Sequence, residues 1–259
     1  MLLHQADNRN FQSKTCVAFV TYNKYGNYDW TKICVSSFKS VFGESVPLIA
    51  VDHNRNPLEI KYLVKNNIRV ISNDSEDLSH GYGLDLAVKY ASGIYDNIIF
   101  IEPDCIVKGR KWFDNIEVAL LDYSMAATFG HIHGSLHPCG SGWRITDIPG
   151  SFKLCDKTSD EIFHEKHQSL IKMDILMQDI TSKKYSNALC HFFVYSWDVG
   201  IRNWYLLALK DKTIKVDGDD LLHLWHSHQI PLKENVWNNP WIKSYIESFL
   251  YSNEVKVLC

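Results

Sequence analysis

Asn97-Ile98-Ile99-Phe100-Ile101-Glu102-Pro103-Asp104-Cys105-Ile106-Val107 is the stretch whose reading decides the fold of this chain. An apolar run of strand length ends on two acidic residues one position apart, and apolar residues resume at once. Burying a carboxylate is costly unless it is paired or holds a cation. Glu102 and Asp104 at the tip of a buried strand therefore point to a divalent cation, a basic ligand, or a solvated turn at the sheet edge. In open α/β sheets, ligands bind at the carboxyl ends of the strands.

Outward from this run, the chain alternates strands and helices. Cys16-Val17-Ala18-Phe19-Val20-Thr21-Tyr22 is apolar without alternation, as expected of a strand covered on both faces. Trp30, Ile33, Cys34, Phe38, Val41 and Phe42 recur at helical spacing, and Gly43 ends the pattern. A strand over Pro47–Val51, a helix from Pro57 to Lys65, a strand over Ile68–Ser72 and a helix around Leu84–Ala91 follow, and Asn97–Ile101 closes the series. Such alternation predicts a parallel, doubly wound sheet. Tyr22 and Asp52 then share the carboxyl edge with Glu102 and Asp104.

Residues His131–Gly150 are dense in glycine and hold His131, His133, His137, Trp143 and Arg144. The composition suits a lid over a ligand or an ordinary connection. No third ligand follows His131 and His133 at zinc spacing. Thr158–Ile180 reads as a helix opened by Thr158-x-x-Glu161, a capping-box pattern, with packing as its expected role. From Asn239 the chain reads as a last helix, with Trp241, Tyr245, Ile246, Phe249 and Leu250 on one face.

The first ~110 residues resemble the nucleotide-sugar half of a GT-A glycosyltransferase, close to the family-2 enzymes. Val51-Asp52-His53-Asn54 sits where those enzymes place an acidic uracil contact. His80-Gly81-Tyr82-Gly83-Leu84-Asp85-Leu86-Ala87-Val88 is similar to their glycine-rich turn entering a helix, with Asp85 where they often have Asn. Glu102-Pro103-Asp104 stands in for their Asp-x-Asp metal motif, departing from it by Glu at the first position. The later half resembles the same enzymes again, through Trp197-Asp198-Val199-Gly200, a helical stretch to Leu209, the strand Ile214–Val216, and Asp219-Asp220-Leu221-Leu222-His223-Leu224-Trp225-His226-Ser227-His228. No G-x-G-x-x-G or P-loop is present.

The resemblance implies an α/β fold of GT-A type: a Rossmann-like, mostly parallel sheet flanked by helices, with a smaller acceptor-side region and a carboxyl-terminal helix. Residues 1–110 would form the nucleotide-sugar half, 111–236 the acceptor and catalytic half of the same domain, and 237–259 a helical tail. It implies Asp198 as catalytic base, and Asp104 and His223 as metal ligands, with His226 and His228 as competitors for His223. Glu102 would touch ribose or metal-bound water, Tyr22 and Asp52 would hold uracil, and Asp85 would face ribose or diphosphate. Trp143, Trp197 and Trp225 are the aromatics offered to a sugar face, and the resemblance makes His131–Gly150 a lid over the donor, with His131 and His133 as donor-pocket or lid candidates. The cofactor would be Mn²⁺ or Mg²⁺, an imidazole ligand tilting the choice to Mn²⁺.

The implied reaction is transfer from a UDP-sugar to a carbohydrate or other hydroxyl acceptor, with inversion. A retaining enzyme, a nucleotidyltransferase and a non-catalytic nucleotide- or sugar-binding module are the alternatives. For single residues the plain readings also stand: Asp52 as a turn former, Asp198 as a helix cap, the three histidines as a surface cluster.

Composition sets the outer bounds. A length of 259 residues suits one large α/β domain, and 46% hydrophobic residues suffice for its core. A formal charge of −3 gives no case for nucleic-acid binding. Seven isolated cysteines show no C-x-x-C spacing, and Cys16, Cys34 and Cys105 read as buried thiols. No run reaches the length of a membrane span and the amino terminus is no signal peptide, so a cytoplasmic protein is expected. The oligomeric state is open.

Overall fold

A computed structural model of the chain describes residues 14–21, 29–129, 136–152, 200–208 and 210–223. Strand β1 (Thr15–Thr21) leads through α1 (Asp29–Phe42) to β2 (Leu48–Asp52), and α2 (Pro57–Lys65) leads to β3 (Arg69–Ser72). Helix α3 (His80–Ala91) precedes β4 (Asn97–Phe100), β5 (Cys105–Val107), α4 (Lys111–Ala119), β6 (Met125–Ala127) and β7 (Ser141–Arg144). After a 3₁₀ turn at Ile145–Asp147 come α5 (Ile201–Ala208), β8 (Thr213–Lys215) and β9 (Leu221–His223).

Among the described residues, seven strands form one sheet in the order β3-β2-β1-β4-β7-β6-β8, and β5 pairs with β9 in a small separate ribbon. The pairs among β3, β2, β1 and β4 are parallel, as is β6 with β8, while β7 runs antiparallel between β4 and β6. This is the expected α/β architecture, a mostly parallel sheet flanked by helices.

Both faces of β1 are covered, which is why its sequence does not alternate. Cys16, Ala18 and Val20 pack on one side with α3 residues Leu84, Ala87 and Ala91. Val17 and Phe19 pack on the other with Phe38 and Phe42 of α1 and Trp112 and Phe113 of α4. Helix ends follow local chemistry. Gly43, at φ +56°, ends α1 in the left-handed region that glycine tolerates. Asn56 caps α2 by accepting from Leu58 N, and Pro57 opens it.

Two expectations need correction. Helix α3 starts at His80 rather than near Leu84, because Ser79 caps it by accepting from Tyr82 N. Gly81 and Gly83 therefore lie inside the helix. The stretch up to Gly150 is also no lid over its described part, since β7 occupies an interior position of the sheet. Gly142 belongs there for packing: a Cβ would stand 2.2 Å from Ile116 Cγ2.

Candidate cation and nucleotide site

Strand β4 stops at Phe100 and the chain turns at Glu102-Pro103-Asp104, closed by Cys105 N donating to Glu102 O at 3.0 Å. It re-emerges as β5, whose Cys105 pairs in register with His223 of β9. That pairing carries an imidazole from 121 residues away to the acidic turn. His223 Nε2 lies 3.2 Å from Glu102 Oε2 and 3.3 Å from Asp104 Oδ1. Glu102 is 7% exposed, Asp104 0% and His223 4%. The rings of Phe129 and His137 pack against His223, with centroids at 5.6 and 5.2 Å.

The solvated-turn reading of the acidic pair therefore fails. Burial opposes charge on His223, yet its hydrogen bonds to Asp104 and Glu102 prevail and raise its pKa to about 11. Burial likewise favours the neutral form of Glu102, but the His223 hydrogen bond and the nearby His80 hold its pKa at about 2. The charged form of His223 and the ionised form of Glu102 thus favour each other. Two carboxylates and an imidazole with ligand atoms within 4.8 Å of one another are a donor set that fits a divalent cation.

A second polar corner lies at the same carboxyl edge, where Thr21 pairs with Asp52 across β1 and β2. Asp52 Oδ1 accepts from Arg55 N at 3.0 Å and from Thr21 Oγ1 at 3.4 Å. Burial raises its pKa and these bonds oppose the rise. The turn-forming role of Asp52 is thus real. Thr21 Oγ1 also accepts from His53 N at 3.0 Å. His53 Nδ1 accepts from Asn73 Nδ2, which leaves Nε2–H to donate to Ser79 O, each at 3.0 Å. Arg55, at φ +51°, donates to Asn73 O and Ser75 O. Sequence reading missed Thr21, Asn73 and His80, since nothing marks a lone Thr, Asn or His before the strands are paired.

Two expected ligand contacts are corrected. Trp143 is fully buried in β7, its Nε1 donating to Ser141 Oγ at 2.7 Å and its ring edge-on to Phe152 at 5.0 Å. It presents no face to a sugar. Asp85 holds the chain after β7, with one carboxylate oxygen accepting from Ser151 Oγ and the other from Phe152 N at 2.7 Å. Both oxygens are engaged there rather than toward ribose or diphosphate. Tyr22, Trp197, Asp198, Trp225, His226, His228, His131, His133, the Thr158–Ile180 helix and the tail from Asn239 lie outside the described residues.

The fold and site together define an α/β protein with a cation-competent cluster at the carboxyl edge of a parallel sheet. The chain matches no protein-family model and no curated protein. Among solved structures it is similar to glucosyl-3-phosphoglycerate synthase from Mycobacterium tuberculosis in complex with Mn²⁺, UDP and glucosyl-3-phosphoglycerate. That similarity has 14% identity and a TM-score of 0.49, covering 93% of this chain and 80% of that one. It is also similar to TarS from S. aureus, at 13% identity and TM-score 0.41, over 52% of this chain and 29% of that one. A third is the mannosyltransferase PcManGT from Pyrobaculum calidifontis with GDP-Man and Mn²⁺, at 10% identity and TM-score 0.45, over 59% and 51%. The chain thus spans under a third of the length of TarS. Among the described residues no helix is long and apolar enough to cross a membrane.

Proposed function

We propose that the chain is a cation-dependent glycosyltransferase that moves a sugar from a UDP-sugar to a hydroxyl acceptor with inversion. The observation that carries this reading is the convergence of Glu102, Asp104 and His223, all buried, at the end of β4. Asp104 and His223 offer a carboxylate oxygen and an imidazole nitrogen to a cation, with the Glu102 carboxylate beside them, which suits Mn²⁺ and, less well, Mg²⁺. A cation bound there supplies charge stabilisation to a departing diphosphate.

The chain's own residues have separable tasks. Asp104 and His223 hold the cation, and Glu102 touches ribose or cation-bound water. Asp52, fixed by Thr21 and Arg55, holds uracil at the nucleotide end of the same edge, and Tyr22 stacks on the uracil ring. Asp198 takes the acceptor proton, a role that needs a carboxylate within hydrogen-bond reach of the attacking hydroxyl. Trp197 offers a face to the sugar. Asp85 acts from behind, by fixing the Ser151–Phe152 turn.

Calorimetric titration of UDP, with Mn²⁺ and then with chelator, tests the reading on wild type and Asp104→Ala. UDP binding that requires both the cation and Asp104 is expected. Binding indifferent to both removes the reading.

A further inference from the structure

His223 belongs to a second constellation. Ligand atoms of His137, Cys139 and His223 all lie within 4.8 Å of one another. These residues are 5, 1 and 4% exposed. His137 and Cys139 come from the turn into β7, and His223 ends β9. Cys139 N donates to His137 Nδ1 at 3.0 Å, so the neutral ring carries its lone pair at Nδ1, on the side of Cys139, and its proton at Nε2. Cys139 Sγ lies 3.2 Å from Cys105 Sγ, within thiol hydrogen-bond reach. An imidazole nitrogen and a sulfur two residues apart, facing a second imidazole, form a soft donor set. The set at Glu102 and Asp104 is a hard one.

We propose that His137, Cys139 and His223 form a second cation site, for a thiophilic divalent ion such as Zn²⁺, and that its occupation excludes a cation from the carboxylate set. Thiolate and imidazole favour Zn²⁺ and Co²⁺ over Mn²⁺ and Mg²⁺, and three protein ligands leave a fourth tetrahedral position open. On binding, the Cys139 S–H bond breaks and the His223 imidazolium gives up one N–H proton; both protons leave to solvent as a sulfur–cation and a nitrogen–cation bond form. The His137 Nδ1 lone pair passes from the Cys139 amide hydrogen to the cation. A neutral imidazole has one lone pair whichever nitrogen bears the proton. His223 therefore serves one cation at a time. The soft site stands independently of the glycosyl-transfer reading; only its antagonism toward Mn²⁺ rests on that reading.

The test titrates Co²⁺ into the whole, metal-free chain and follows the near-ultraviolet thiolate-to-cobalt charge-transfer band. The expected result is a band that saturates near one equivalent in wild type, vanishes in Cys139→Ser, and needs at least ~10-fold more Co²⁺ in His137→Gln. Thermal melts confirm that both variants fold. Absence of the band in wild type, or its persistence in both folded variants, overturns the site. In parallel, the electron paramagnetic resonance signal of free Mn²⁺ reports release. One equivalent of Zn²⁺ should release bound Mn²⁺ from wild type but not from Cys139→Ser. Retention in wild type alongside a cobalt band overturns the exclusion and leaves the soft site standing. Failure of Mn²⁺ to bind at all, with the cobalt band present, overturns the hard-site reading alone.

Discussion

Gly83→Ala offers a direct test of how α3 is seated over the sheet. The added methyl would lie 2.7 Å from both Val20 Cγ atoms and 2.9 Å from His53 Nε2. Neither neighbour yields easily. Val20 is 3% exposed and β-branched, with its rotamer set by packing in the core. The His53 ring is held from both nitrogens, by Asn73 and by Ser79 O. Overpacking of this kind costs about 1–3 kcal/mol. Alanine returns up to ~1 kcal/mol through helix propensity. The net expectation is a loss of about 1–2 kcal/mol, which for a domain of this size lowers the melting temperature by roughly 2–8 °C. Thermal and urea denaturation of the two proteins measure it. A variant that melts at or above wild type would refute the close approach of α3 to β1.

Three further outcomes are expected. Asp220 accepts from Lys111 N at 2.6 Å and from Trp112 N at 2.9 Å, supplying from outside the helix the cap that Arg110 does not provide. Asp220→Ala should therefore cost about 1–2 kcal/mol in urea denaturation, and an unchanged midpoint would remove that role. In chelated protein, Glu102 is lowered from 4.5 to about 2 and His223 raised from 6.5 to about 11. The Glu102 contribution to stability is present above pH 4.5 and lost as pH falls through about 2; that of His223 is present below pH 6.5 and lost as pH rises through about 11. Denaturation across pH should show the alkaline decline in wild type and a flatter profile in His223→Gln; parallel profiles would contradict the ion pair. Asp198→Asn should abolish sugar transfer while UDP affinity stays within a few-fold, and unchanged turnover would exclude Asp198 as the base.

Local chemistry made much of the first half legible. Uninterrupted apolar runs marked β1, β2 and β4 because strands buried on both faces need no polar side. Gly43, Asn56 and Pro57 marked helix ends because their backbone preferences act over one or two residues. The start of α3 was misread because its glycines looked like a turn, whereas Ser79 provides the cap and Gly83 is small to let the helix approach Val20. β7 was hidden for the opposite reason. Ser141-Gly142-Trp143-Arg144 has the composition of a loop, and only its slot between β4 and β6, under Ile116, requires a strand there.

The sequence by itself determined that Glu102 and Asp104 end a buried strand, since apolar residues on both sides leave them no route to water without a turn. It determined likewise that Asp52 ends another strand of the series and that the chain winds strand, helix, strand. Tertiary structure alone decided which histidine meets the acidic pair, that Trp143 and Asp85 serve packing and loop anchoring, and that His137 and Cys139 stand beside His223. Local preferences reach only a few residues along the chain. The Cys105–His223 register joins segments more than a hundred residues apart, and it exists only when the whole sheet has been assembled.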